Sequence, residues 1–445
     1  PLAFWLAALL VLLGGCVAAW RSGQRPWLSL ADLRAWPVLL GMLGVTILYT
    51  LILRGQAIFD EYLHLPLISS MAAGDIPPHF YLNPDFYFAY HYGIQLYAAS
   101  LVRLGGFFTW SAWDISRALA FAFTLALGWI LLRRLTGSRL GAGLGTILLG
   151  FGGGTRWLLL LLPSPWLNWV SQQVNLDGSG WDTAPTLLAA LHRYWEFEGG
   201  GPLPLPFAFH NGLFVPANFV LGSTGALPFL IVLLLLLLMP RRRFKPAGLV
   251  VWSLIFATLA LAAEHWFAFL WLGIALSLAI AALWKVEIGT PLRQWTIILP
   301  LSAGLSILQG GFITETARSL LNTLLGLPGS SYNALGFSLR WPPGLPSAHL
   351  GTLSIGNPGQ LMALIAELGP ALLAMILLVR VLPRQLKRRR WLWCGLAISA
   401  VLTLAFPFFF QYGVDRSITR FPATALWMAL LLAFPLLWRS IPRLG

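Results

Sequence analysis

The chain has 445 residues and a net charge of +14, with 58% hydrophobic and only 10% charged residues. A soluble fold cannot hide that much apolar surface, because even well-packed proteins leave much of their area in water. Lipid is the alternative solvent, and a helix needs roughly 20 apolar residues to cross a hydrocarbon core of ~30 Å. Segments of that kind recur along the whole chain, which predicts an all-α polytopic membrane protein.

The basic excess does not indicate a nucleic-acid partner. Lys and Arg residues cluster in short segments between apolar runs, as they do in the cytoplasmic loops of membrane proteins. Cys16 and Cys394 both lie inside apolar runs. That placement is typical of small core residues and not of a disulfide framework.

The apolar segments predict about 11 transmembrane helices, within a range of about 10–13. In chain order the predicted spans are residues 2–20, 36–53, 117–132, 140–162, 226–239, 247–263, 266–284, 295–311, 359–382, 391–410 and 421–438. Every basic cluster follows an odd-numbered span, so all clusters lie on one side, which the positive-inside rule makes cytoplasmic. This predicts an outside N-terminus, a cytoplasmic C-terminus and, from the compact loops, a bacterial plasma (inner) membrane.

The parity of this topology depends on residues 92–108, which look like a short span. The segment contains Arg103 and is amphipathic, so we interpret it as an interfacial helix on the outer leaflet. The chain then divides into four parts. They are an N-terminal extra span (residues 1–35), a core with an acidic first external loop (36–162, loop 54–116), an external lid loop (163–225) and the remaining bundle with a further external loop (226–445, loop 312–358).

Titratable groups concentrate on the external face. All 7 histidines, and all acidic residues except Asp32, Glu287 and Glu367, fall in external loops or at an outer helix turn. External loops tolerate acidic residues for topological reasons alone. A chain so poor in charge that gathers its titratable groups on one face nevertheless favours a functional site there.

The sharpest local feature is the sequence GQAIFDEYLH at residues 55–64, directly after the second span. An adjacent Asp60–Glu61 pair at a membrane surface is costly unless it faces water, a cation or a substrate. His64 lies one helical turn from both carboxylates, so the three side chains can converge if the stretch is helical. The segment that follows is rich in aromatic residues, which stack on sugar rings and also anchor at the membrane interface.

The order of motifs in residues 36–162 resembles membrane glycosyltransferases of the GT-C class, particularly the protein O-mannosyltransferases and the aminoarabinose transferase of lipid A. The motifs are a span, the external Asp-Glu pair, a GDIP turn, YHYGIQLYAASLVRLGG and ISRALAFAFTLALGWILLRRLTGSRLGA. Asp60 and Glu61 match the acidic motif, and Arg117 matches the arginine that opens the next span. Arg133-Arg134-Leu135 matches the basic turn that closes it. YHYG stands where many relatives have a Pro-Pro-Leu-like stretch, which leaves the acceptor class open.

The resemblance implies an inverting transfer of a sugar from a polyprenyl-phosphate donor to a lipid, glycan or protein acceptor at the extracytoplasmic surface. The acceptor hydroxyl needs a general base, for which Asp60 is the candidate, with Glu61 positioning the acceptor. Asp60 and Glu61 could also hold a labile divalent cation, Mg²⁺ or Mn²⁺. The departing lipid phosphate needs positive charge, and Arg416 and Arg420 are the candidate donors. An ordinary pair of interfacial anchors explains these two arginines equally well.

Further candidates for substrate binding are His64, His91, Glu264 and His265. Glu264 and His265 lie between two spans with almost no loop. A buried Glu-His pair is costly without partners, so it could approach the same cavity as Asp60; a tight hairpin exposed to water is an equal alternative. His91 fits either acceptor binding or a hydrogen-bonded structural role.

Two other functions stay open at this point. The chain could be a non-catalytic GT-C-like subunit of a larger membrane complex, or a secondary transporter with Asp60 and Glu264 as coupling carboxylates. Transport predicts charged residues near the membrane midplane and repeated halves with broken helices, and the sequence suggests neither. Only Arg156 and Glu367 approach the membrane interior.

Overall fold

Helices dominate the chain, and short antiparallel strand pairs lie between them. The computed structural model describes residues 2–21, 36–55, 61–152, 155–197, 201–210, 216–222, 224–239, 245–284, 290–327, 336–412 and 417–440.

The N-terminal part is helical apart from one hairpin. Its elements are α1 (Leu2–Arg21), α2 (Trp36–Gly55), α3 (Glu61–Ala73), β1 (His79–Phe80), β2 (Asn83–Tyr87), α4 (Gly93–Gly105), α5 (Thr109–Thr136) and α6 (Arg139–Phe151). α5 ends at Gly137, whose φ of 72° favours glycine, and the Gly137 N–H donates to Arg133 O. Ser138 then begins α6 because its hydroxyl accepts from the Gly141 N–H at 3.2 Å.

The middle part is built from short elements. They are a 3₁₀ helix (Arg156–Leu161), α7 (Ser164–Gln173), α8 (Ser179–Thr183), α9 (Leu187–Leu191), β3 (Tyr194–Phe197), β4 (Gly201–Pro206), a 3₁₀ helix (Phe207–Phe209) and α10 (Pro216–Phe219). Thr186 caps α9 by accepting from the Ala189 N–H at 3.3 Å. Strands β3 and β4 pair antiparallel, with Tyr194 opposite Pro206.

The C-terminal part contains most of the long helices. Its elements are α11 (Leu227–Leu237), α12 (Pro246–Ala262), α13 (Glu264–Leu283), α14 (Thr290–Leu308), α15 (Phe312–Leu324), β5 (Phe337–Leu339), β6 (Gly344–Ser347), β7 (Gly351–Ser354), α16 (Pro358–Leu368), α17 (Pro370–Lys387), α18 (Trp391–Phe409), β8 (Phe410–Tyr412), a 3₁₀ helix (Ser417–Thr419) and α19 (Arg420–Ser440).

Within the described residues, 5 helices are long and apolar enough to cross a membrane, or up to 7 if each of two bent helix pairs is one span. The 5 helices are Trp36–Arg54, Thr109–Thr136, Glu264–Leu283, Trp391–Phe409 and Arg420–Ser440. These helices are compatible with a multi-pass membrane protein. The higher count of about 11 also includes shorter apolar helices, such as α11 and α12, and stays a prediction.

The prediction of one continuous span at residues 359–382 is wrong, and so is the prediction that the chain lacks broken helices. The predicted span 359–382 is two helices, α16 and α17, that meet at 88°, and α14 meets α15 at 85°. Gly369 has a φ of 54° between α16 and α17, and Pro370 cannot donate a backbone hydrogen bond to continue α16. Gly310 and Gly311, with φ of 87° and 81°, make the turn between α14 and α15. The inference that the chain lacks broken helices therefore fails.

The predicted span 140–162 is also not one helix. α6 ends at Phe151, and the 3₁₀ helix Arg156–Leu161 begins several residues later. Gly152, next after α6, has a φ of −75° and ψ of 80°, which is not helical. The glycine run at residues 152–154 separates the two elements; residues 153 and 154 lie outside the described residues.

The segment 92–108 contains α4, which is 13 residues long. That length corresponds to about 20 Å, which is too short to cross a hydrocarbon core of ~30 Å. One face of α4, with Ile94, Gln95, Ala98 and Ala99, is buried against the protein. Its position at a membrane interface stays a prediction.

Contacts at one end of the helices join described parts of three loops that the sequence assigns to the same side of the membrane. β5 of the third external loop pairs antiparallel with β8, which follows α18. Asp177 of the second external loop donates its N–H to His349 O of the third at 2.9 Å. At the other end, Arg134 donates to Leu237 O at 3.3 Å, joining the ends of α5 and α11. The parity of the spans and the side that is cytoplasmic stay predictions.

The core of the bundle includes a close approach of α13 and α18. A Cβ on Gly273 would lie 2.4 Å from Gly395 O and 2.7 Å from Ser399 Cβ. Two helix backbones can come that close only where small residues face each other. This contact fixes the N-terminal end of α13 beside the C-terminal end of α18, and both ends contribute to the site described next.

Candidate functional site

Three of the predicted site residues cannot be placed by their side chains. Asp60 of the acidic pair and the predicted phosphate-binding Arg416 lie outside the described residues. Glu61 is described only as the first residue of α3. No side chain contact of these three is therefore established. Among the described side chains, no group of three or more His, Cys, Asp and Glu is arranged to hold a metal ion. The divalent cation at Asp60 and Glu61 stays a prediction.

Three other predicted residues come together from distant parts of the chain. Glu264 Oε2 lies 3.2 Å from His91 Nδ1, and His91 Nε2 lies 3.4 Å from Arg420 Nη1. The same guanidinium nitrogen donates to the Tyr90 hydroxyl at 3.0 Å. In the arrangement that satisfies both contacts, His91 carries its proton on Nδ1 and accepts at Nε2. We call Tyr90, His91, Glu264 and Arg420 the polar cluster.

Local backbone geometry explains why these side chains meet. α12 and α13 are joined by the single residue Ala263, which is extended, so Glu264 begins α13 at the edge of the bundle. Gly93 begins α4 against the end of α12, where a Cβ would lie 3.0 Å from Leu261 O. A side chain here would crowd the backbone of α12, so glycine allows the segment that carries His91 to lie close to the end of α12. Arg420 begins α19 and lies beside the same edge.

Tyr92 fastens the same segment to the bend between α14 and α15. Its hydroxyl donates to Gln309 O at 2.5 Å, and only 1% of the residue is exposed. Burial raises the pKa of Tyr92 to about 12, so the phenol stays protonated and remains a donor. The polar cluster is therefore attached to α14 as well as to α13 and α19.

His265 and Glu264 point into the protein, and the alternative of a hairpin exposed to water does not hold. The Glu264 side chain is 20% exposed and His265 is buried. The His265 ring stacks on Phe421 with centroids 4.7 Å apart, and its Nε2 lies 3.2 Å from Thr424 Oγ1. His265 is thus held by α19 on the inner side of the polar cluster.

His64 is buried between α4 and α5. Its Nδ1 accepts from Gln95 Nε2 at 3.0 Å, and its ring lies 5.0 Å from that of Trp113. Burial, followed by the charges of Arg117, His91 and Arg420, lowers the pKa of His64 to about 3. His64 is therefore neutral near pH 7.

A cavity of about 200 Å³ opens beside the polar cluster, and Tyr90, Glu264 and His265 form part of its wall. The remaining wall is apolar and mostly aromatic. It consists of Ala268, Phe269, Phe312, Ile313, Phe337, Phe406, Tyr412, Ile418 and Phe421. For comparison, an apolar cavity of about 150 Å³ is large enough to hold benzene. We call this space the aromatic cavity.

The sequence did not reveal the aromatic cavity. Its aromatic residues come from several helices and strands, and nothing distinguishes them locally from the other Phe and Tyr residues of a chain with 28 Phe and 10 Tyr. In the sequence, Tyr90 stood out only as a neighbour of His91. Its contact with Arg420, which lies 330 positions later, is a property of the fold alone.

The two charged residues that approach the membrane interior in sequence form a second buried cluster. Arg156 Nε donates to Glu367 Oε1 at 2.5 Å, and both side chains are at most 1% exposed. Arg156 also donates to His349 Nδ1 at 3.1 Å and to Phe207 O at 3.2 Å. Burial, followed by the neighbouring charges of His210 and Arg156, lowers the pKa of His349 well below its ordinary value. The cluster joins α16 to the segments predicted to be the second and third external loops.

Arg117, which the sequence comparison matched to an arginine of GT-C glycosyltransferases, is also buried and paired. It donates to Asp114 Oδ1 at 3.0 Å, and its guanidinium carbon lies 4.3 Å from the centre of the Trp113 ring. Arg54 at the end of α2 approaches the other Asp114 oxygen at 3.2 Å. This arrangement ties α2 to α5 and gives Arg117 a structural role in the described contacts.

No family model, no curated protein and no solved structure matches this chain. The resemblance to GT-C glycosyltransferases therefore rests on the order of motifs in residues 36–162 alone.

Proposed function

We propose that the chain is a membrane glycosyltransferase of the GT-C class with about 11 spans. It moves a sugar from a polyprenyl-phosphate donor to an acceptor at the extracytoplasmic face of the plasma membrane, with Asp60 as the general base. The proposal combines the motif order of residues 36–162 with the chemistry of the polar cluster and the aromatic cavity.

The observation that supports it best is the contact between these two features. Tyr90 and Glu264 belong both to the polar cluster and to the wall of the aromatic cavity. A lipid-linked sugar phosphate has the matching parts, since its anionic phosphate needs a cation and its hydrocarbon chain needs an apolar surface. Arg420 supplies the cation, and the aromatic cavity supplies the apolar surface.

In the proposed reaction the acceptor hydroxyl transfers its proton to the Asp60 carboxylate, and its oxygen forms a bond to the anomeric carbon of the sugar. The bond from that carbon to the phosphate oxygen breaks, and its electron pair leaves on polyprenyl phosphate. Arg416 and Arg420 stabilise the added negative charge on the phosphate. Glu264 holds His91 in the tautomer that accepts from Arg420, which orients the guanidinium.

The experiment is transfer by the purified chain in nanodiscs. A panel of lipid-linked pentoses and hexoses is supplied with extracted membranes as the acceptor source, and polyprenyl phosphate is measured by mass spectrometry. We expect release with at least one donor, and its loss in Asp60→Asn and Arg420→Gln but not in Asp85→Asn, which changes an exposed strand residue. Release from no donor by the wild-type chain, or equal release by Asp60→Asn, would contradict the proposal.

The bent helix pairs favour a secondary transporter as the second candidate. Broken helices are typical of transporter binding sites, and Glu367 lies two residues before Gly369, where α16 and α17 meet at 88°. The Glu367 carboxylate is closed in by Arg156 and Ser347, however. Uptake of a solute into proteoliposomes without sugar transfer would favour transport.

The other alternative is a non-catalytic subunit of a larger membrane complex. A wild-type phenotype and normal assembly of Asp60→Asn in cells would favour that role.

A further inference from the structure

α15 differs from the other helices near the polar cluster because none of its 13 residues is buried. It follows α14 after three residues and points away from it at 85°. Thr314 Oγ1 donates to Ile307 O at 2.7 Å, which fixes the first turn of α15 against the end of α14. The direction of α15 is thus set by the bend.

The two faces of α15 have opposite character. Ile313, Ala317, Leu320, Leu321 and Leu324 recur at the spacing of one helix face and form an apolar stripe. Within this stripe the exposed fractions rise from 49% at Leu320 to 55% at Leu321 and 83% at Leu324. So large an apolar surface on a helix end is expected to be covered in the cell.

The opposite face of α15 is polar and contacts the protein. Arg318 Nη1 lies 3.0 Å from Glu315 Oε1, and its guanidinium carbon lies 5.4 Å from the centre of the Tyr87 ring in β2. The charges of Glu315 and Arg318 cancel, so α15 carries no net charge. Whatever covers its apolar stripe is therefore attracted by apolar contact and not by charge.

The length of α14 indicates what covers this stripe. Its 19 residues correspond to about 28 Å, which nearly equals the ~30 Å thickness of a hydrocarbon core. If α14 crosses the bilayer, its end arrives at the membrane surface, and a helix at 85° to it runs along that surface. An amphipathic helix in that position inserts its apolar face among the lipid chains.

We propose that α15 is an interfacial helix that lies in the leaflet next to the polar cluster, with Leu320, Leu321 and Leu324 inserted into lipid. Its partner is a bilayer surface that need carry no net charge. Phe312 and Ile313 of its first turn belong to the wall of the aromatic cavity. The cavity therefore opens at the depth of the lipid headgroups, where an apolar ligand enters from the bilayer. This inference does not depend on the proposed sugar transfer.

The test uses the 445-residue chain with Cys16→Ser and Cys394→Ser. It carries Leu324→Cys or Asn322→Cys, labelled with an environment-sensitive fluorophore. Asn322 is the matched control because it lies on the polar side of the same helix turn. In phosphatidylcholine nanodiscs we expect shallow spin-labelled lipid to quench the label at position 324 about two-fold or more above the label at position 322. A water-soluble quencher should act in the reverse order.

Equal quenching at the two positions by spin-labelled lipid would overturn the proposal. So would a label at position 324 that avoids water without being quenched by lipid, since protein and not lipid would then cover the stripe. Quenching at position 324 that requires anionic lipid would refute the uncharged partner. Each variant is first required to elute as the unmodified chain does in size-exclusion chromatography, so that misfolded protein is removed before the measurement.

Discussion

Glu367→Gln is the substitution with the largest expected effect on the fold. It keeps the size of the side chain but leaves Arg156 as an uncompensated charge, with both side chains at most 1% exposed. Removing one partner of a buried ion pair costs about 3–5 kcal/mol, because the remaining charge stays desolvated. A surface pair contributes about 0–1 kcal/mol.

The loss of stability should be local, because Arg156 also binds His349 and Phe207 O. His349 lies between strands β6 and β7, whose backbone amides form an antiparallel ladder. Since each 1.4 kcal/mol is a factor of ten, a cost of about 3–5 kcal/mol should make local opening of this hairpin about 100- to 4000-fold more frequent. Hydrogen–deuterium exchange of residues 344–354 in nanodiscs measures this directly.

Two controls separate charge burial from other effects. Glu315→Gln breaks a pair in which Arg318 is 47% exposed, and it should leave exchange of residues 344–354 unchanged. The double substitution Arg156→Met with Glu367→Leu removes both charges and should restore part of the protection. Full recovery is not expected, because His349 Nδ1 loses the bond from Arg156, and Phe207 O and Ser347 Oγ each lose one of their hydrogen bonds. Wild-type exchange in Glu367→Gln would refute the reasoning.

Three further outcomes follow from the described contacts. Gly273→Ala should cost about 1–3 kcal/mol by overpacking, seen as a lower unfolding midpoint, whereas Gly304→Ala, whose added Cβ meets nothing within 4 Å, should not. Arg420→Gln should slow sugar transfer about 100-fold or more, measured as polyprenyl phosphate release, with partial recovery in Arg420→Lys. Because the pKa of His64 is lowered from 6.5 to about 3, its contribution to stability is fully present above pH 6.5 and is lost towards pH 3. The unfolding midpoint should therefore fall less steeply with acid in His64→Gln than in the wild-type chain, and His192→Gln, which changes an exposed residue, should not alter the slope.

The predicted positions of the long helices agree with the structure where the signal is local. The predicted spans 266–284 and 421–438 correspond to α13 (Glu264–Leu283) and α19 (Arg420–Ser440), because hydropathy and length alone require a helix there. The bends between α16 and α17 and between α14 and α15 were not predicted, although the glycines and the proline that form them can be read in the sequence. Gly369-Pro370 and Gly310-Gly311 were read as parts of apolar runs or their ends, and hydropathy does not report φ.

The sequence by itself determined that this chain is built from apolar helices, and it singled out His91, Glu264 and Arg420 as candidates because titratable groups are rare in it. Only the tertiary structure decided that these three meet, since positions 173 and 329 residues apart are joined by the packing of α4, α13 and α19. The aromatic cavity was equally hidden, because its wall is assembled from residues that are ordinary in their own segments.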